Sequence, residues 1–300
     1  MAQRAGAQAS PTDDIRPAPF VGRFAEVRGL RLHYLDYGAA AGHETGGRPT
    51  MLCVHGGAAH GHWFDYIAPF FTPDYRVLAL DQRGHGNSDW VAPPAYSYQD
   101  YAADLAAFAE ALELRDFVLV GHSMGGMVSL VHTATYPGRV GKLVVVDTSI
   151  KLSEERLAAM RDRGSKPGSS YATKEELVVR FRMMPPGTQA KPEVVRYIAS
   201  HSARQFPDGT WRHRFDRNVY AIRESIDGMQ FWDRIKIPAL LVKGSLSERI
   251  TPEIQAGVKE RCPQVELAEV AGSNHHVTLD NPVGFVQAVK PFLSRHAKTT

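Results

Sequence analysis

The sequence predicts an α/β architecture, a mostly parallel sheet flanked by helices, and three observations carry that prediction. Short runs rich in Val and Leu recur without polar alternation, as in TMLCVHGG, YRVLALDQRG, DFVLVGHS, KLVVVDTS and PALLVKG. Strands apolar on both faces are those buried on both sides. Helix-like stretches such as YQDYAADLAAFAEALEL and MVSLVHTATY separate them, which is the rhythm of βαβ crossovers. The third observation is GHSMGG at 121–126, where a strand run meets a helical run through a turn of glycines around one serine.

Taken in chain order, residues 1–19 are rich in Ala and Pro and read as a flexible extension lacking the apolar stretch of a secretory signal. FAEVRGLRLHYLDYG alternates like a strand and breaks at Arg28-Gly29, so it is expected to form a β-hairpin. The parallel strands and crossover helices follow to residue 148, and resume over 234–300 with PALLVKG and VELAEVAG. Between them, 149–233 changes character. SEERLAAMRDR, TKEELVVRFRMM and PEVVRYIASHSARQF have helical spacing, with Ser153 and Thr173 as N-caps. Pro185-Pro186-Gly187 and Pro207-Asp208-Gly209 read as turns. This segment is expected to be a helical cap inserted into an α/β core of 20–148 and 234–300.

Composition removes several functions. The chain has 300 residues, 43% of them hydrophobic and 22% charged, so it can bury a sizeable core. Its net charge of +3 comes from interspersed Lys, Arg, Asp and Glu, which argues against a nucleic-acid partner. No segment has the length of a membrane span. Cys53 and Cys262 form no CxxC pair and read as free thiols, so the expected compartment is the reducing cytoplasm. His60 and His62 lack the HExxH pattern or carboxylates of a metal site, and GHGNSD lacks the strand and helix of a dinucleotide fingerprint. No cofactor and no metal are expected.

The chemistry is expected at Ser123. A strand, a sharp glycine turn and a helix project its hydroxyl at the carboxyl end of the sheet, and the helix N-terminus favours negative charge there. Gly121 and Gly125 leave room for neighbouring backbone. A serine hydroxyl needs a base, and AEVAGSNHHVTLDNP offers His275 and His276, of which His275 is favoured. The base needs an orienting acid. Glu248, the carboxylate in the loop after PALLVKG, is the first candidate, and Asp147 at the end of VVVD competes with it. Trp63, Phe64 and Tyr66, with Phe181, Met183, Met184, Trp211 and Phe215 of the insertion, are candidates for an apolar pocket or for ordinary packing. Arg180, Arg182, Arg212, Arg214 and Arg217 would attract an anionic substrate, or else form a solvated face.

In this order Ser123, Glu248 and His275 follow the nucleophile, acid, base sequence of α/β-hydrolases. From about residue 20 to 296 the chain resembles an α/β-hydrolase-fold protein of the serine esterase or lipase kind, with a helical cap. HGG at 55–57 resembles the oxyanion turn, DQRGHGNSD the stretch after the fourth strand, and GHSMGG the nucleophile elbow. HHVTLDNP resembles the catalytic-histidine segment, and that register selects His275. The resemblance implies backbone amides of Gly57 and Met124 as the oxyanion hole, with His55 bracing the turn and Asp81, Arg83 and Ser88 structural. It also implies Asp in the acid loop, where this chain has SERITP.

The expected function is hydrolysis of a small-molecule carboxylic ester or lactone through an acyl-enzyme. A carbon–carbon hydrolase, a perhydrolase, a cofactor-free lyase and a weakly catalytic ligand-binding protein are the alternatives on such a scaffold. Oligomeric state is not encoded in any motif.

Overall fold

Each apolar run becomes a strand of one eight-stranded sheet in the computed structural model, which describes residues 15–40, 42 and 47–297. The strands are β1 Val21–Val27, β2 Leu30–Asp36, β3 Thr50–Val54, β4 Arg76–Leu80, β5 Phe117–His122 and β6 Val140–Val146. The short β7 Ala203–Gln205 and β8 Trp211–His213 lie apart, and β9 Ala239–Gly244 and β10 Glu266–Val270 complete the main sheet. Its order is β1-β2-β4-β3-β5-β6-β9-β10, antiparallel through β1, β2 and β4 and parallel beyond.

Strand periodicity explains why the central runs had to be apolar throughout. Leu52, Leu119 and Val145 point to one face and join one core cluster; Cys53, Val120 and Val144 point to the other and join a second. The hairpin turns where the sequence breaks, with Val27 paired to Leu30 and both Arg28 and Gly29 at positive φ. The crossover helix Tyr98–Ala111 begins with a capping box, in which the Ser97 hydroxyl accepts from the Asp100 amide at 3.0 Å and the Asp100 carboxylate accepts from the Ser97 amide at 3.2 Å.

The expected flexible extension falls largely outside the described residues. Of its described part, Ala18 is buried and its amide donates to the Asp65 carbonyl at 2.8 Å.

Between β6 and β9 the chain forms helices Glu154–Ser165, Lys174–Arg180 and Pro192–His201, the first two capped by the Ser153 and Thr173 side chains. Two details differ from the sequence reading. The helix beginning at Lys174 stops at Arg180, where Phe181 turns to extended backbone and the Arg182 guanidinium takes the Val179 and Phe181 carbonyls. The segment is also not wholly helical: β7 and β8 pair as a ribbon whose reversal is the Pro207-Asp208-Gly209 turn. Strands of three residues are too short to leave an alternating pattern.

Candidate active site

The turn after β5 brings the main chain into a conformation that only tight surroundings hold. Ser123 has φ 54° and ψ −118°, in the left-handed half of the map that non-glycine residues avoid. Its amide donates to the Val146 carbonyl at 2.9 Å and its carbonyl accepts from Thr148 Oγ1 at 3.1 Å, so β6 and the residues just after it clamp the turn on both sides. The glycines supply clearance from backbone. A Cβ on Gly125 would lie 2.2 Å from the Val54 carbonyl oxygen, and one on Gly121 would lie 2.4 Å from the Gly125 carbonyl oxygen.

His275 reaches this serine from the loop after β10. Its Nε2 lies 3.0 Å from Ser123 Oγ, and its Nδ1 donates over 2.7 Å to Asp147 Oδ2. His276 turns the other way, its Nε2 donating to the Pro185 carbonyl at 3.2 Å. Glu248 does not hold the position the sequence reading gave it. Its side chain is exposed, whereas Asp147 at the end of β6 is fully buried against His275. The reason is local. In the loop after β9 the inward residue is Ser247, whose hydroxyl donates to Asp147 Oδ2 at 2.7 Å, while Glu248 alternates outward. The Gly244 amide and the Arg249 guanidinium also face Asp147, at 3.3 Å and 3.8 Å.

Electrostatics hold the imidazole neutral. Burial is the largest effect lowering the His275 pKa well below the usual histidine value, and the positive Arg249, the neighbouring His276 and Arg156 add to it. Burial raises the Asp147 pKa against the opposing Ser247 hydrogen bond. A base must be unprotonated to act, so a lowered pKa extends activity toward acid. The acidic limb of kcat/KM, which reports the free protein, is expected below pH 6.5, and Arg156→Ala is expected to move it upward by removing a like charge. A pH–rate profile of both proteins checks the direction.

Beside the serine, Gly57 lines the cavity and Met124 opens the helix Met124–Thr135, whose first amides have no acceptor within the helix. The HGG turn is held from behind: His55 Nδ1 donates to the Gly56 carbonyl at 2.7 Å, and His85 Nε2 accepts from the Ala58 amide at 3.1 Å. Asp81, Arg83 and Ser88 take partners within the fold and stay out of the cavity. So do His60, bonded to Ser202, and His62, bonded to Asp65.

Ser123 and His275 open on a cavity of about 500 Å³ roofed by the inserted segment. Trp63, Phe181, Met183, Met184 and Phe215 line it, whereas Phe64, Tyr66 and Trp211 do not. Sequence reasoning missed Tyr220, which packs over Gly57, and the arginines Arg156, Arg163, Arg223 and Arg249. Scattered over the inserted segment and the β9 loop, they form no run or period that would single them out. Of the arginines in 149–233 it did consider, Arg182 and Arg217 reach the cavity, while Arg180 and Arg212 pair with Glu176 and Asp208. Among the described residues, no helix is long and apolar enough to cross a membrane.

Residues 49–282 match the model of the alpha/beta hydrolase fold family, and the chain belongs to that family. An esterase of Mycobacterium tuberculosis is 28% identical over 263 residues, 83% of this chain and 84% of that protein. The 2-(acetamidomethylene)succinate hydrolase of Mesorhizobium japonicum is 25% identical over 289 residues, covering 93% and 98%. The crystal structure of E-2-(acetamidomethylene)succinate hydrolase superposes with a TM-score of 0.79 at 24% identity, over 92% of this chain and all of that one. Relatives named esterase and hydrolase support hydrolase activity for this chain.

Proposed function

We propose that this chain is a serine hydrolase of carboxylic esters, lactones included, acting through an acyl-enzyme on the triad Ser123, His275 and Asp147. The observation that carries the reading is the unbroken hydrogen-bonded line from Ser123 Oγ through both nitrogens of His275 to the buried Asp147 carboxylate. Ser123 Oγ attacks the acyl carbon while His275 Nε2 takes its proton, and Asp147 stabilises the resulting imidazolium. The oxyanion falls to the amides of Gly57 and Met124. Protonated His275 then delivers its proton to the leaving alkoxide. Water, deprotonated by the same nitrogen, releases the acid and restores the serine. In this scheme the segment 149–233 acts as a cap that shapes the acyl and leaving-group sites. The two buried free thiols, Cys53 and Cys262, fit a reducing compartment.

The direct test is covalent labelling. A fluorophosphonate is expected to add once per chain at Ser123, located by peptide mass spectrometry, and to abolish hydrolysis of p-nitrophenyl butyrate. Ser123→Ala is expected to lose both the label and the turnover. Turnover that survives in Ser123→Ala would point instead to chemistry without an acyl-enzyme, as in a cofactor-free lyase.

A further inference from the structure

The cavity is walled with more positive charge than the acyl-transfer groups account for. Arg156, Arg163, Arg182, Arg217, Arg223 and Arg249 line it, and no Asp or Glu does among the described residues. Among the described residues, only Arg249 of these six lies within ion-pair reach of a carboxylate, Asp147 at 3.8 Å, and that carboxylate is already bonded to His275 and Ser247. Arg182 and Arg217 spend their donors on main-chain carbonyls, which leaves their charge uncompensated.

Arg223 is the telling member. It is 4% exposed, as is Arg83 elsewhere in the fold. Arg83 behaves as a buried guanidinium ordinarily does, making a two-pronged contact with Asp104 and a further bond to the Ala95 carbonyl. Arg223 has no carboxylate among the described residues. Its Nη2 donates to the Tyr98 hydroxyl, and its guanidinium carbon lies 4.4 Å from the Tyr98 ring centroid. Its Nε and Nη1 are buried without a hydrogen-bond partner among the described residues. Two unmet donors on a buried cation cost more than a fold alone requires. The segment that holds Arg223 also places it beside the chemistry, since its amide bonds to the carbonyl of Tyr220 at 3.1 Å and Tyr220 packs over Gly57.

We propose that Arg223, with Arg249 adding to the field, forms an anion subsite, and that the preferred substrate is an ester or lactone bearing a carboxylate apart from its scissile group. The proposal rests on the hydrolase reading and adds the substrate class to it. A carboxylate in the cavity that Arg223 lines supplies the anionic partner this buried cation lacks among the described residues, and it matches a guanidinium in charge and hydrogen-bonding geometry.

Two pairs of chromogenic esters test this, each differing by one carboxylate: p-nitrophenyl hemiadipate against p-nitrophenyl hexanoate, and 3-carboxy-4-nitrophenyl butyrate against p-nitrophenyl butyrate. In at least one pair kcat/KM is expected to favour the charged ester by about tenfold or more, through KM, the size of one charge-assisted hydrogen bond. Arg223→Gln is expected to remove that ratio and Arg223→Lys to restore part of it, whereas Arg180→Gln, on the exposed ion pair with Glu176, should leave it in place. Calorimetry of the unmodified protein is expected to show adipate binding at least about tenfold more tightly than adipamide. A ratio of one or less in both pairs, equal losses on both esters in Arg223→Gln, or equal binding of adipate and adipamide would overturn the subsite. The hydrolase reading fails separately, by absence of phosphonate labelling and of turnover on all four esters. In that case the calorimetric comparison still decides whether the anion subsite exists.

Discussion

Asp147→Asn is expected to lower kcat on a simple p-nitrophenyl ester by about four orders of magnitude, with KM little changed. The amide keeps the shape of the carboxylate but presents either an N–H or a weak carbonyl acceptor to His275 Nδ1. The imidazole is then pushed toward the tautomer that carries its proton on Nε2, facing Ser123, where it cannot act as base. A loss of that size is about 5 kcal/mol of transition-state stabilisation. Glu248→Gln is the matched control. Its side chain is exposed, and it is expected to keep activity within about threefold, as surface changes remote from such features do. Steady-state kinetics on the two variants separates the acids: a large effect at Glu248 with none at Asp147 would reverse the assignment.

Gly125→Ala is expected to impair stability and activity together. The added methyl would meet main-chain oxygens of Val54 and His55 at 2.2 Å and 2.5 Å, neither of which can rotate away. The helix Met124–Thr135 must therefore back off β3, carrying the Met124 amide and the Ser123 turn with it. Overpacking of this kind costs about 1–3 kcal/mol and sometimes more, and a rigid backbone neighbour puts it at the upper end. Gly257→Ala is the comparison. That glycine lies inside the helix Pro252–Arg261, and its Cβ would meet only the mobile end of Met229 at 3.2 Å. There the helix-propensity gain of up to about 1 kcal/mol is expected to dominate. Denaturant unfolding of both variants, read beside their ester turnover, checks the contrast.

The parts of the fold that were legible in the sequence are those where one physical requirement governs a whole run. TMLCV and FVLVGH must be apolar on both faces because helices cover both, so their pattern is visible without any partner. The elbow was legible for the same reason, since the glycines around Ser123 answer to local backbone clearance. What stayed hidden depended on side chains meeting across the chain. Whether Glu248 or Asp147 bonds His275 turns on which residue of the β9 loop faces inward, and that is set by packing against β6. Arg223 was invisible because its interest lies in a carboxylate it lacks, and only the surroundings reveal that. The ribbon of β7 and β8 was missed because three residues leave no period, although its turn was plain in Pro207-Asp208-Gly209.

The contact between Asp147 and Ser247 has a bearing on how such sites change over generations. The two side chains lie 2.7 Å apart, Asp147 just past the end of β6 and Ser247 in the loop after β9, and those two strands are neighbours in the sheet. A carboxylate carried at 247 in place of the hydroxyl would therefore lie close to the space that the Asp147 carboxylate fills. A lineage that gained an acid at 247 before losing the one at 147 would pass through a form with both, and the charge would have moved one strand along without the nucleophile or the base shifting. The acid proposed for this site thus occupies a place in space that two segments share, and a carboxylate carried by either segment would reach the same region.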